Sequence, residues 1–244
     1  MTGATGATGA DGRPGGGVLA VLPLGATEQH GPHLPPETDT LLAEAAARAV
    51  AYSATGAPAP AATDVTVRVL PALAYGSSGE HQSFAGTVSI GTAALAEVLL
   101  EFGRSVSSWA DRLLVVNGHG GNVDALRRAV PRLRHEGRDA AWLSCRTAED
   151  ARDTHAGHAE TSLMLHLHPD LVRVEHAARG CVRPLPQILP AMRDGGVAAV
   201  SPSGVLGDPT TATAADGERL WGLLVADARA RLDGWRPGDD GMLR

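Results

Sequence analysis

The stretch VLAVLPLGATEQHGPHLPPETDTLLAEAAARAV, residues 18–50, changes pattern twice. Its opening, VLAVLPLG, is a continuous apolar run ended by Gly25, as expected of a strand buried on both faces. From Leu41 onward the apolar spacing becomes helical, with Leu42, Ala45, Ala46 and Ala49 on one side, and Gly56 follows as a stop. Between the two lies a polar loop carrying Glu28, His30, His33 and Asp39 among Pro32, Pro35 and Pro36. A strand, a loop rich in side chains that bind cations and a helix make the first unit of an α/β chain.

The same order recurs downstream. VTVRVLPAL (65–73) is β-branched and strand-like, and it leads into the Gly/Ser-rich AYGSSGEHQSFAGTVSIG. A helix is expected over 93–110, where Leu95, Val98, Leu99, Phe102, Val106 and Trp109 share a stripe. RLLVVNGHGGN (112–122) is a strand entering a glycine-rich turn. The helix after it carries Val123, Leu126, Val130 and Leu133, with Pro131 expected to kink it. DAAWLSCR reads as a strand, HAETSLMLHLHP as a helix stopped by Pro169, and ATAADGERLWGLLVADARARL as a C-terminal helix. Repeated alternation of this kind implies a three-layer α/β/α sandwich around a mostly parallel sheet. In such folds the site lies beyond the carboxyl ends of the strands, which gathers the loops at 26–39 and 117–122 on one edge.

The expected organisation is a disordered tail over 1–17, whose MTGATGATGADGRPGGG has no charged stretch followed by an apolar one, and one catalytic domain over 18–244. The 21 basic residues, all arginine, stand against 27 acidic ones. That balance gives neither a nucleic-acid footprint nor a polybasic patch for a membrane. No segment reaches the ~20 apolar residues of a membrane span. Two cysteines, Cys145 and Cys181, make no disulfide framework and fit a reducing cytosol, so a cytoplasmic location is expected.

A cation needs carboxylate oxygens and neutral imidazole nitrogens converging from separate elements. Glu28 and His30 are two apart, which in an extended segment points both side chains the same way. Asp39, at the start of the next helix, can swing back to the same point and bridge two ions with its two oxygens. His119, in NGHGGN, leaves a strand end into a loop whose glycines permit close backbone approach. Glu160 shares a helix face with Leu163, Met164 and Leu167, and a carboxylate on an apolar stripe is costly unless paired or bound to a cation. An N-terminal helix charge favoured by the dipole is its other reading. The prolines fix φ along the loop and reduce the entropy lost when the ligands are held in place.

GATEQHGPHLPPETD, GEHQSFAGTVSIG, VVNGHGGN, HAGHAETSLML and GVLGDPTTATAADG, in that order, resemble the creatininase (creatinine amidohydrolase) family. The resemblance implies an α/β/α sandwich, two divalent ions (zinc, iron or manganese), hydrolysis of amide C–N bonds and a homo-oligomer built from dimers. It places Glu28, His30, Asp39 and His119 among the metal ligands, with Asp39 bridging. Creatininase carries a glutamate two residues beyond the histidine of its Asn-Gly-His motif, whereas this chain has Gly121, and Glu160 is the implied replacement. His155 matches a histidine that contacts substrate and moves protons, although orienting a helix start is its plainer reading.

Creatinine recognition in the family uses tryptophans that CRTAEDARDTHAGHAE (145–160) lacks. Among glycine-type members the chain looks most like the mycofactocin-system peptidase branch, which releases a C-terminal Val-Tyr dipeptide from a modified precursor peptide. A peptide substrate is therefore expected. A cyclic-amide or formamide hydrolase is the rival within enzymes, and a non-catalytic scaffold with a structural zinc is the rival outside them. Glu80 and His81 fit either the substrate pocket or a subunit contact.

Overall fold

The computed structural model describes residues 17–55, 65–145 and 152–244. Four strands, β1 (Val18–Leu24), β2 (Thr66–Val69), β3 (Arg112–Asn117) and β4 (Asp139–Ser144), form one sheet in the order β2-β1-β3-β4. Every pairing in it is parallel. The helices are α1 (Thr38–Thr55), α2 (Thr92–Val106), α3 (Val123–His135), α4 (His158–Leu167), α5 (Leu185–Gly195) and α6 (Ala214–Gly234).

All seven residues of β1 are buried, as its unbroken apolar run requires of a central strand. Its side chains alternate between two cores. Ala20, Leu22 and Leu24 pack with Leu95 and Leu99 of α2 and Leu126 and Leu133 of α3. Leu19 and Val21 pack with Ala46 and Val50 of α1 and Leu224 and Ala228 of α6. The sheet is thus covered on both faces, giving the expected three layers.

The helical stripes differ in detail from the sequence reading. In α1 the buried apolar positions are Leu42, Ala43, Ala46, Ala47 and Val50, so the core face is rotated away from Ala45 and Ala49. Helix α2 ends at Val106, leaving Trp109 38% exposed, and Val98 is 42% exposed because Ala96 and Gly103 face the core instead. Strand β2 is only four residues long and half-exposed, as suits an edge strand ahead of Pro71. Helix α3 runs through Pro131 without interruption. Helix α5, with Pro186 near its start and Pro190 inside, has no counterpart in the sequence reading. The chain end bridges Met242 to Trp142 and so lies along β4. Residues 1–16 of the expected tail and the expected stop at Gly56 lie outside the described residues.

Candidate metal centre

The loop after β1 is closed on itself by its backbone. Glu28 N–H donates to the carbonyl of Pro36 (3.1 Å), and the Thr38 hydroxyl donates to that of Pro35 (2.7 Å). These bonds fold the proline-braced segment back, so that Asp39, in the first turn of α1, returns to Glu28 and His30. The loop after β3 is held by two asparagines. Asn122 Nδ2 donates to Gly25 O (2.9 Å) and Asn117 Oδ1 (3.1 Å), and Asn117 Nδ2 donates to His119 O (2.7 Å). A Cβ at Gly118 would lie 2.3 Å from Asp39 O, so only glycine lets the two loops meet.

Six side chains singled out in the sequence converge at this carboxyl edge. Asp39 Oδ1 is 3.3 Å from His30 Nε2, and Asp39 Oδ2 is 3.3 Å from His119 Nδ1. Glu28 Oε2 is 3.2 Å from His119 Nε2, and Glu28 Oε1 is 3.6 Å from His155 Nδ1. Glu160 Oε2 is 4.0 Å from His30 Nε2 and also accepts the Ala156 N–H at 2.5 Å, so it serves its own helix start as well. Among the described residues, three overlapping groups have donor atoms close enough together for a cation: Glu28, Asp39 and His119; His30, His155 and Glu160; Glu28, His81 and His155. His33 stays outside these groups, bonded to the Thr161 hydroxyl at 2.9 Å.

Three further residues belong to the site. His81 Nε2 is 3.3 Å from Glu28 Oε1, and Glu80 Oε1 is 3.5 Å from His119 Nε2. A Cβ on Gly121 would lie 2.2 Å from Ser77 O, 2.4 Å from His119 Nε2 and 2.7 Å from Glu80 Oε1. Any side chain at 121 would therefore collide with the Ser77 carbonyl and the His119 ring as well as with Glu80. Gln29 is the residue sequence reasoning passed over. Its Oε1 accepts from Gly31 N (2.8 Å), which turns its Nε2 towards His81 Nδ1 (2.8 Å) and Gly204 O (3.1 Å). The flipped amide would set oxygen against oxygen at Gly204 and donor against donor at Gly31. His81 therefore accepts at Nδ1 and carries its proton on Nε2. His155 Nε2 donates to Gln29 O at 2.8 Å, leaving Nδ1 as the free lone pair facing Glu28. The sequence signal for Gln29 was its place between two candidate ligands.

The electrostatics are those of a cluster short of positive charge. Burial alone would raise the Glu28 carboxyl, yet His119 holds it at about 2. Burial works against protonating His30, but Asp39 lifts it to about 9. His119, likewise buried, is raised well above its usual range by Glu28 and Asp39. Burial lifts Glu160 to about 7 and lowers His81 to about 4. His155 is pushed well below its ordinary value by burial and by the imidazoles of His30 and His81. Both Glu28 oxygens, His30 Nε2 and Asp39 Oδ2 are buried with no hydrogen-bond partner. Such atoms are costly to leave unpaired, and bound cations meet all four at once. The donor set of carboxylates and imidazoles suits divalent metals.

An α/β/α protein whose buried His/Asp/Glu cluster lies at the carboxyl edge of a parallel sheet has the build of a metal-dependent hydrolase. The chain belongs to the creatininase family: the family model described as creatinine amidohydrolase matches residues 10–232. It is 57% identical over 223 residues to the "Mycofactocin precursor peptide peptidase" of Mycobacterium tuberculosis (strain ATCC 25618 / H37Rv), covering 91% of this chain and 88% of that one. Among solved structures, a creatinine amidohydrolase (creatininase) superposes with a TM-score of 0.71 at 27% identity, covering 91% of this chain and 92% of the other. The structure titled "Creatininase Mn" gives 0.71 at 28% identity, covering 91% and 93%.

Proposed function

We propose that this protein is a metal-dependent peptidase that hydrolyses a C–N bond of a precursor peptide, releasing a C-terminal Val-Tyr dipeptide. The observation that carries this reading is the set of buried, unpartnered donor atoms on Glu28, His30 and Asp39, with Asp39 reaching His30 by one oxygen and His119 by the other. The name of the M. tuberculosis relative, at 57% identity, supplies the substrate class.

Asp39, Glu28 and His119 would hold one divalent ion, and Asp39, His30 and Glu160 a second. When bound, such ions supply Lewis acidity, which lowers the pKa of water from near 16 towards ~7. The chain itself handles the proton. His155 is neutral at pH 7 with Nδ1 unprotonated, so it begins as an acceptor for a proton of the attacking water. It then passes that proton to the leaving nitrogen, which cannot depart as an anion. His81 points its Nε2 proton at the same Glu28 oxygen that His155 faces, at 3.3 Å, with the two rings 4.3 Å apart. The catalytic domain proposed for this work spans 18–244, acting in the cytoplasm as a homo-oligomer built from dimers.

Incubating metal-loaded protein with peptides differing at the C-terminus, with products read by mass, tests the reading. Release of Val-Tyr together with two exchangeable ions per chain is the expected result. Cleavage confined to small cyclic amides or formamides would replace the peptide. One tightly held zinc with no hydrolysis would make the chain a scaffold.

A further inference from the structure

The recess at the cluster, lined by His155, Glu160, Gly118, Gly120, Asp153 and Ala159, offers only about 90 Å³. At about 30 Å³ per water, that is room for a few atoms around a scissile bond and little more. Asp153 and Ala159 also line a second, wider groove of about 640 Å³. Both cavities have Asp153 and Ala159 in their walls, so the groove lies beside the recess. Its volume falls within the ~300–1,000 Å³ of pockets that enclose an organic ligand.

The groove is chemically distinct from the rest of an acidic protein. Ala159, Val182, Pro184 and Leu220 give it apolar walls, while Arg152, Arg179 and Arg183 bring guanidinium groups to it. Its two acids are engaged with the protein's own groups. Asp153 Oδ2 accepts the Ala159 N–H at 2.7 Å, and Asp208 Oδ1 accepts from Thr210 N (3.1 Å) and its hydroxyl (2.5 Å). Asp208 Oδ2 lies 3.6 Å from Arg179 Nε. Arg179 is already paired with Asp208, whereas Arg183 is in no ion pair among the described residues, which leaves positive charge in the groove on a chain of formal net charge −6. Arginine forks match carboxylates in geometry as well as in sign.

We propose that this groove binds an acidic segment of the peptide substrate adjoining the scissile bond, with Arg179 and Arg183 reading its carboxylates. This rests on the peptidase reading above and adds to it a sequence preference.

The test uses zinc-loaded full-length protein and two fluorescent peptides with the same Val-Tyr end, one preceded by Asp/Glu residues and the other by Asn/Gln. Binding is read by anisotropy and cleavage by mass. Tighter binding of the acidic peptide by about tenfold is expected, from two exposed ion pairs of ordinary strength. That ratio should fall towards one in an Arg179→Glu/Arg183→Glu variant and on raising salt from 0.05 to about 0.5 M. Equal binding of the two peptides by the unaltered protein, or no binding of either, overturns the proposal. A change in subunit number in the variant, seen by sedimentation, would also overturn it by making the groove a contact between copies. Preferential binding without cleavage leaves the groove standing and sinks the peptidase reading; cleavage without preference does the reverse.

Discussion

Asp39 stands between two imidazoles, its Oδ1 3.3 Å from His30 Nε2 and its Oδ2 3.3 Å from His119 Nδ1. One carboxylate thereby joins the loop after β1 to the loop after β3. Replacing it with Ala removes an oxygen from both proposed ion positions. Asp39→Ala should lose both ions and all turnover while its secondary structure stays intact, as metal analysis and circular dichroism would show. Two retained ions with full activity would contradict the bridging role.

The protonation of the cluster predicts how stability depends on pH once metal is stripped. His30 has a folded-state pKa of about 9 against an ordinary 6.5, and Glu160 about 7 against 4.5. Both raised values mean that the folded state binds more protons than the unfolded one. The His30 contribution is fully present below 6.5 and is lost as pH rises through about 9, and that of Glu160 is lost by about 7. The melting temperature of chelator-treated protein should therefore fall between pH 6 and 9. Metal-loaded protein should not fall in parallel, because cations replace the protons. Parallel curves would refute this account.

Gly121→Ala forces a methyl against Ser77 O, His119 Nε2 and Glu80 Oε1. A destabilisation of about 1–3 kcal/mol is expected from overpacking. The displaced imidazole should also weaken metal binding, measurable by competition with a chelator. An unchanged denaturation midpoint would mean that the loop yields freely.

Gln29→Leu leaves His81 Nδ1 and Gly204 O without their donor. The expected cost is about 1–3 kcal/mol in stability. Loss of the hydrogen bond that sets the His81 tautomer should lower kcat about 10–100-fold, with less change in KM. Nitrogen-15 NMR of histidine-labelled, zinc-loaded protein reads the tautomer directly. Finding the His81 proton on Nδ1 in the unaltered protein would contradict the assignment.

Much of this was legible in the sequence because it is local. The apolar run at 18–24 marks a central strand by itself, and helical spacing at Leu126, Val130 and Leu133 marks the face of α3. Glu28 and His30 were legible because alternate residues of an extended segment share a side, and Asp39 because helix starts follow such loops. The rotation of α1 and α2 about their axes was not legible. Small residues such as Ala43, Ala47, Ala96 and Gly103 face the core where helices approach closely, and apolar spacing alone ranks them below Val98. Helix α5 was hidden by Pro186 and Pro190, which propensity reads as breakers although a first-turn proline removes no helical bond.

The sequence alone determined the order of the strands and of every helix but α5, the parallel α/β layering that follows from it, and the residue types of a cation site, since these depend on periodicity and chemistry within short windows. The tertiary structure decided which atoms face one another. It set Asp39 between His30 and His119, brought His81 and Glu80 to the cluster, and assigned His155 and His81 opposite hydrogen-bonding roles through Gln29. Those outcomes depend on contacts between residues up to 175 apart in the chain, where only the packed backbone fixes distance and direction.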